Sequence, residues 1–105
     1  MTGLLRTLFG MGPKVDLAEL IAQGATIVDV RTKAEYSSGH VKGSINIPLD
    51  RIGNDMKQLN KEKPVITCCA SGMRSTSAAS MLRANGFDAH NGGPWTQVRS
   101  LMARR

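Results

Sequence analysis

The sequence predicts an α/β fold in which a small, mainly parallel sheet is covered by helices on both faces. Short β-branched runs alternate with helical segments along the chain, an order that is typical of parallel sheets. Residues 26–30 are too apolar for a strand with one face in water, so they predict a central strand. With 105 residues, 41% of them apolar, the chain has room for one hydrophobic core.

Capping residues mark the starts of several predicted helices. Asp16 can accept hydrogen bonds from the first N–H groups of a helix, and Thr32 with Glu35 has the spacing of a capping box. Asn54 can cap another short helix. The predicted helices are residues 17–23, a segment from 33 to before 39, 55–59, 75–85 and 94–102, and the other predicted strands are 45–47, 64–68 and 88–91.

Residues 1–12 differ in composition from the rest of the chain. They are apolar but interrupted by Arg6 and three glycines, and the apolar core is too short for a secretory signal. We expect an N-terminal extension that docks or frays, followed by a single domain over residues 13–105. No segment approaches the roughly 20 apolar residues of a membrane span. The two cysteines are adjacent and cannot form a disulfide framework, which favours a cytoplasmic protein with reduced thiols.

The formal net charge of +6 raises the question of an acidic partner. A basic protein can bind nucleic acid, but only four aromatic residues are present and no known nucleic-acid motif occurs. We therefore do not expect a nucleic-acid partner. The charge is better explained by attraction of a small anionic substrate or by solubility.

A cysteine lies between a predicted strand and a predicted helix. Residues 64–68 predict a buried strand, so Cys69 lies where that strand ends and the chain turns towards a helix N-terminus. Backbone N–H groups in such a loop can converge on an anion, and the helix dipole adds to their field. Comparable sites lower a cysteine pKa from about 8.5 to roughly 3.5–7.5. Cys69 is therefore the candidate nucleophile, although a cysteine can also serve as a small apolar core residue.

The neighbours of Cys69 suit the same role. Gly72 relieves the turn, Arg74 supplies a cation, and Ser75 can cap the following helix. Cys68 points to the opposite side of the strand, so we expect it in the core. Adjacent Cα atoms are about 3.8 Å apart, which is below the range of about 4.4–6.8 Å for disulfides. Cys68 and Cys69 therefore cannot easily form one.

Residues 69–75, with the sequence Cys-Ala-Ser-Gly-Met-Arg-Ser, resemble the active-site loop of the rhodanese family of sulfurtransferases. The resemblance extends along the chain. The upstream signature of the family is similar to residues 27–31, 35–36 and 39–48. Its C-terminal glycine–tryptophan element is similar to residues 91–95. Each motif is weak alone, but together and in this order they identify the chain as similar to a rhodanese.

The resemblance implies a rhodanese-like three-layer sandwich and a sulfur-transfer reaction. Cys69 would take a sulfane sulfur from thiosulfate or a persulfide donor, become a persulfide, and pass the sulfur to a thiol or cyanide acceptor. No metal and no cofactor are expected, because sulfur leaving groups are already acidic. The residues implied around the substrate are Ala70, Ser71, Gly72, Met73, Arg74 and Ser75. Ala70 and Met73 replace residues that are often polar or charged in the family, which leaves room for a persulfide-carrying protein as donor.

Four further residues are expected to support the site. Asp29 and Arg31 lie two apart on one side of their strand, so they can pair and brace the floor of the site. We expect His40 to make a polar contact that fixes the following turn. Trp95 can form a wall of the pocket, although core packing is slightly favoured. Ser71, like Ser75, can donate a hydrogen bond to a sulfur anion.

Two other functions remain open on the sequence. A phosphatase or arsenate reductase also combines a loop cysteine with an arginine, but Cys69 to Arg74 spans six residues and the phosphatase-type loop has one more. A shorter ring suits one sulfur atom better than a phosphoryl group. A non-catalytic rhodanese-like binding module is the other alternative, and such modules commonly lack the cysteine that this chain retains.

Overall fold

Four parallel strands form one sheet in the computed structural model, which describes residues 15–104. The strands are β1 (Thr26–Asp29), β2 (Ile45–Asn46), β3 (Val65–Cys69) and β4 (Ala89–Pro94). The helices are α1 (Leu17–Ala22), α2 (Lys33–Ser37), α3 (Ile52–Asp55), α4 (Met73–Ala84) and α5 (Trp95–Ala103), and 3-10 turns at Leu49–Arg51 and Met56–Gln58 flank α3. The predicted extension, residues 1–12, lies outside the described residues.

The strand order β2-β1-β3-β4 places β3 at the interior of the sheet. All five residues of β3 are buried, and the strand pairs with β1 on one side and with β4 on the other. The register with β4 shifts near its end, where Thr67 pairs with Asn91 and Cys69 with Pro94. One extra residue of β4 is therefore accommodated beside the carboxyl end of β3, where the candidate nucleophile lies.

Helices cover both faces of the sheet, which confirms the predicted α/β sandwich. On one face, Ile27, Ile66 and Cys68 pack with α1 and α5 through a cluster that includes Ile21 and Val98. On the other face, the side chains pointing from the sheet pack against α3 and α4, and this cluster contains Val28, Val65, Cys69, Ile52, Ala78, Ala79 and Leu82. The alternation along β3 therefore sends Cys68 and Cys69 into different layers, as predicted.

Local capping explains two of the helices. The Asp16 side chain accepts a hydrogen bond from the Glu19 N–H at 3.2 Å, and Thr32 with Glu35 forms the predicted capping box. The role predicted for Asn54 is wrong, because Asn54 lies inside α3 and caps no helix. The helical segment begins earlier, with a 3-10 turn directly after Pro48, and the Ile52 side chain of this segment is buried in the core. In the described part of the chain, no helix is long and apolar enough to cross a membrane.

Candidate active site

Cys69 is the last residue of β3, and α4 begins four residues later at Met73. The short connection is possible because Gly72 has φ = 100°, a left-handed conformation that glycine adopts at little cost. A Cβ atom at Gly72 would lie 3.3 Å from the Cα atom of Gly93, so the loop also packs closely against the end of β4. Residues 69–75, called the Cys69 loop below, are thus folded tightly around the sulfur.

The Cys69 Sγ atom is completely buried beneath its own loop. The Gly72 N–H donates a hydrogen bond to Sγ at 3.0 Å, and the Ser75 N–H donates another at 3.4 Å. The hydroxyl oxygen of Ser75 lies 3.4 Å from the same sulfur. Two backbone N–H groups therefore converge on the sulfur, the arrangement that stabilises a sulfur anion, and the Ser75 hydroxyl oxygen lies beside the same atom.

Two opposing effects set the pKa of Cys69. Burial raises this pKa, because the thiolate loses its hydration. The hydrogen bonds from Ser75 to the sulfur lower it, and the N–H groups of Gly72 and Ser71 lower it further. The hydrogen bonds prevail, so the pKa of Cys69 lies below its ordinary value. The loop favours the thiolate, which is the nucleophilic form of cysteine.

Ser75 is not the helix cap that the sequence predicted. Because α4 begins at Met73, Ser75 lies in its first turn, completely buried, and its side chain reaches across to β4. Its hydroxyl donates to the Asn91 Oδ1 atom at 2.6 Å, and the Gly93 N–H donates to the same oxygen at 2.9 Å. Asn91 thereby holds Ser75 beside Cys69. No pattern in the sequence indicates this role of Asn91, because the role depends on the alignment of β4 with β3.

Arg74 forms an ion pair with Glu35. The guanidinium Nη1 and Nη2 atoms donate to the two Glu35 carboxylate oxygens at 2.8 and 3.0 Å. These hydrogen bonds lower the pKa of Glu35 to about 2. Arg74 thus provides the predicted fixed cation, but its charge is matched by a carboxylate. The sequence showed Glu35 only as a capping residue and missed this contact, which joins α2 to α4.

Asp29 and Arg31 form the pair that the sequence predicted. The Arg31 Nε atom donates to Asp29 Oδ1 at 2.9 Å, its Nη2 atom donates to Oδ2 at 2.7 Å, and both side chains are buried. Nη2 also donates to the Gly39 carbonyl oxygen at 2.6 Å. The guanidinium carbon lies 4.6 Å from the ring centroid of Trp95. This pair therefore ties the end of β1 to the segment after α2 and to α5.

In a comparison with sequence models of protein families, the model for the rhodanese-like domain matches residues 14–98 of this chain. The chain belongs to the rhodanese family. Among curated proteins, it is 39% identical over 62 residues to the uncharacterized protein YqhL of Bacillus subtilis (strain 168). The aligned region covers 59% of this chain and 49% of YqhL. It is 35% identical over 65 residues to the thiosulfate sulfurtransferase GlpE of Pseudomonas fluorescens (strain SBW25), with 62% and 60% coverage. The match therefore spans about half to three fifths of these two relatives.

Solved structures show the same fold. The crystal structure of a rhodanese-like domain protein from Staphylococcus aureus superposes with a TM-score of 0.66 at 35% identity, covering 71% of this chain and 74% of that one. The four-stranded parallel sheet with its helices is therefore the rhodanese fold, as the resemblance implied.

His40 and Trp95 are the other two residues that the sequence predicted to support the site. The His40 Nδ1 atom contacts the Tyr36 carbonyl oxygen at 2.8 Å, and the two rings stack with centroids 3.8 Å apart. His40 therefore makes a polar contact with the preceding helix, α2, and the expectation that this contact fixes the following turn stays a prediction. Trp95 packs against the layer that contains Cys68. This position confirms core packing, the slightly favoured expectation.

The rim of the Cys69 loop in this rhodanese is exposed and largely uncharged. Ala70 and Ser71 are exposed, and Met73 is 78% exposed. The Ser71 hydroxyl lies 3.5 Å from the Met73 N–H, which donates to it. The Ser71 side chain is thus turned to its own loop, and it is the Ser71 backbone N–H that acts on the sulfur.

Proposed function

We propose that this chain is a sulfurtransferase in which Cys69 carries a sulfane sulfur as a persulfide. The observation that carries the proposal is the convergence of the Gly72 and Ser75 N–H groups on the Cys69 sulfur. Membership of the rhodanese family and the similarity to GlpE support the same activity.

The proposed reaction has two steps. In the first, the Cys69 thiolate attacks the outer sulfur of thiosulfate or of a persulfide, a new S–S bond forms, and the old S–S bond breaks with its electron pair on the departing sulfite or thiolate. In the second, a thiolate or cyanide attacks the terminal sulfur of the Cys69 persulfide and releases the Cys69 thiolate. The loop N–H groups stabilise the anion in both forms, because hydrogen bonds to charged acceptors are about twice as strong as neutral ones.

The proposed partners follow from this chemistry. The donor is a small anionic sulfur compound or a persulfide-carrying protein, and the acceptor is a thiol or cyanide. Both cysteines of the chain are free. A reactive thiol persists in a reducing compartment, so we place the activity in the cytoplasm.

Mass spectrometry of the protein after exposure to thiosulfate or a persulfide tests the proposal directly. The unaltered protein should gain the mass of one sulfur atom and lose it again when cyanide is added. The Cys69→Ser variant should gain none, whereas Cys68→Ala, the matched control at the adjacent buried cysteine, should gain it as before. Absence of the adduct on the unaltered protein with every donor would favour a binding module. Turnover of an aryl phosphate without any adduct would favour a phosphatase.

A further inference from the structure

Arg74 is the only charged side chain among the seven residues of the Cys69 loop. The other six are Cys69, Ala70, Ser71, Gly72, Met73 and Ser75. Any electrostatic attraction of an anionic donor by the loop side chains must therefore come from Arg74. Its charge decides which donors the rim can attract.

Glu35 cancels this charge through a contact with little freedom. Both carboxylate oxygens accept from the Arg74 guanidinium, in the two-pronged geometry that is specific to arginine. The carboxylate is also fixed from its own side, because its Oε1 atom accepts from the Thr32 N–H at 2.9 Å and lies 3.1 Å from the Thr32 hydroxyl. The low pKa of Glu35, about 2, keeps the carboxylate charged at any pH at which the enzyme would work. The loop rim thus has no uncompensated cation.

A cavity of about 390 Å³ is lined in part by Arg74, the cation of this ion pair. Its lining is mainly apolar and includes one exposed carboxylate, that of Asp50. The lining residues are Val30, Thr32, Pro48, Leu49, Asp50 and Arg74. The carboxylate of Asp50 repels a dianion, whereas the apolar side chains suit an uncharged organic group. The exposed side chain of Met73 adds apolar surface at the rim of the loop.

We propose that Glu35 makes this site selective for persulfides with an uncharged organic group, R–S–SH, over the dianion thiosulfate. This inference rests on the proposed sulfur transfer. The Cys69 thiolate attacks the outer sulfur, the new S–S bond forms, and the bond to R–S breaks with its electron pair on R–S⁻. The proton stays on the transferred sulfur, so the products are Cys69–S–SH and R–S⁻. Glu35 takes no part in these bonds and acts by cancelling the Arg74 charge.

Two donors that differ by one carboxylate test the selectivity in the unaltered protein. The persulfide of N-acetylcysteine carries a carboxylate, and the persulfide of its methyl ester does not. With cyanide as acceptor, kcat/KM should be highest for the ester, lower for the acid and lowest for thiosulfate. This comparison needs no substitution, so it remains decisive if a variant fails to fold.

Glu35→Gln tests the residue itself. Glutamine serves in a capping box as glutamate does, so α2 keeps its cap while Arg74 loses its counter-charge. By Coulomb's law, a unit charge about 9 Å from a dianion in water changes the binding of the dianion by about fivefold. We expect kcat/KM for thiosulfate to rise about fivefold and that for the ester persulfide to change less than about twofold, with the gain shrinking at about 0.5 M salt. Glu19→Gln, an exposed glutamate on α1, makes the same change in net charge and should alter neither value.

The outcomes separate this inference from the proposed function. Failure of every donor to load sulfur onto Cys69 would refute the sulfurtransferase activity itself. Loading by all three donors with thiosulfate preferred, or an equal change for thiosulfate and the ester in Glu35→Gln, would leave the sulfurtransferase in place and overturn the role of Glu35.

Discussion

Replacing Cys68 with alanine should remove a loss of stability that the unaltered protein suffers at alkaline pH. Cys68 is completely buried in the layer beneath α1 and α5. Burial raises the pKa of its thiol from 9.0 to about 12, and the nearby charge of Asp29 adds to the rise. The folded protein therefore holds the proton at pH values at which the unfolded chain releases it.

The sign and size of the effect follow from linkage between proton binding and folding. Below about pH 9 both states keep the proton, and the stability associated with the neutral thiol is fully present. It is lost as the pH rises through about 12, because only the unfolded state ionises in that interval. At 1.36 kcal/mol per pKa unit, the loss is about 1.4 kcal/mol at pH 10 and approaches about 4 kcal/mol over the whole interval.

Urea unfolding at pH 7.5 and pH 10 measures this difference. The lost Cys68 side chain should make Cys68→Ala less stable than the unaltered protein at pH 7.5, because a small cavity remains. Between the two pH values, the unaltered protein should lose about 1.4 kcal/mol more than the variant. Lysines and other groups that titrate in this range contribute equally to both proteins, so the difference reports Cys68 alone. Equal losses in the two proteins would refute the reasoning.

Three further predictions concern the loop and its supports. The alkylation rate of Cys69, followed by mass spectrometry against pH, should have its midpoint below the free-thiol value of about 8.5, and a midpoint above that value would contradict the hydrogen-bonding argument. Ser75→Ala should move this midpoint to higher pH, because it removes the hydroxyl beside Sγ; an unmoved midpoint would leave stabilisation to the backbone N–H groups alone. Gly92→Ala should lower the free energy of unfolding by about 1–3 kcal/mol, because its Cβ would lie 2.7 Å from an Ile66 methyl group. Gly53→Ala, which meets nothing within 4 Å, is the matched control and should not be destabilising.

Features that depend on neighbouring residues could be predicted from the sequence. The Thr32–Glu35 capping box needs only a spacing of three residues, and the Asp29–Arg31 pair needs only the alternation of a strand. The division of Cys68 and Cys69 between two core layers follows from the same alternation. Each of these features is set by local geometry, so it can be predicted without knowledge of the tertiary structure.

Features that join distant segments were missed. Arg74 and Glu35 are 39 positions apart, and each had a sufficient local explanation in the sequence, so nothing indicated that they meet. The contact of Ser75 was missed for the same reason. The sequence predicts Ser75 as a helix cap, but its hydroxyl donates to Asn91, 16 positions away. The predicted position of α3 was wrong because burial of Ile52 outweighed the local capping preference of Asn54. Tertiary packing decided all three.

The position of Cys69 at the end of an interior strand has a consequence for how reagents reach it. β3 is hydrogen-bonded on both sides, so its separation from the sheet amounts to unfolding. In contrast, Ala70 and Ser71, which directly follow Cys69 in its loop, are exposed to solvent. Small openings of the loop therefore admit reagents to Cys69 without loss of the fold, and its native-state modification rate should be insensitive to low urea. Cys68 becomes accessible only when the sheet is lost, and its rate should rise with urea as steeply as global unfolding does. The two adjacent cysteines thus report separately on the motion of the loop and on the opening of the whole domain.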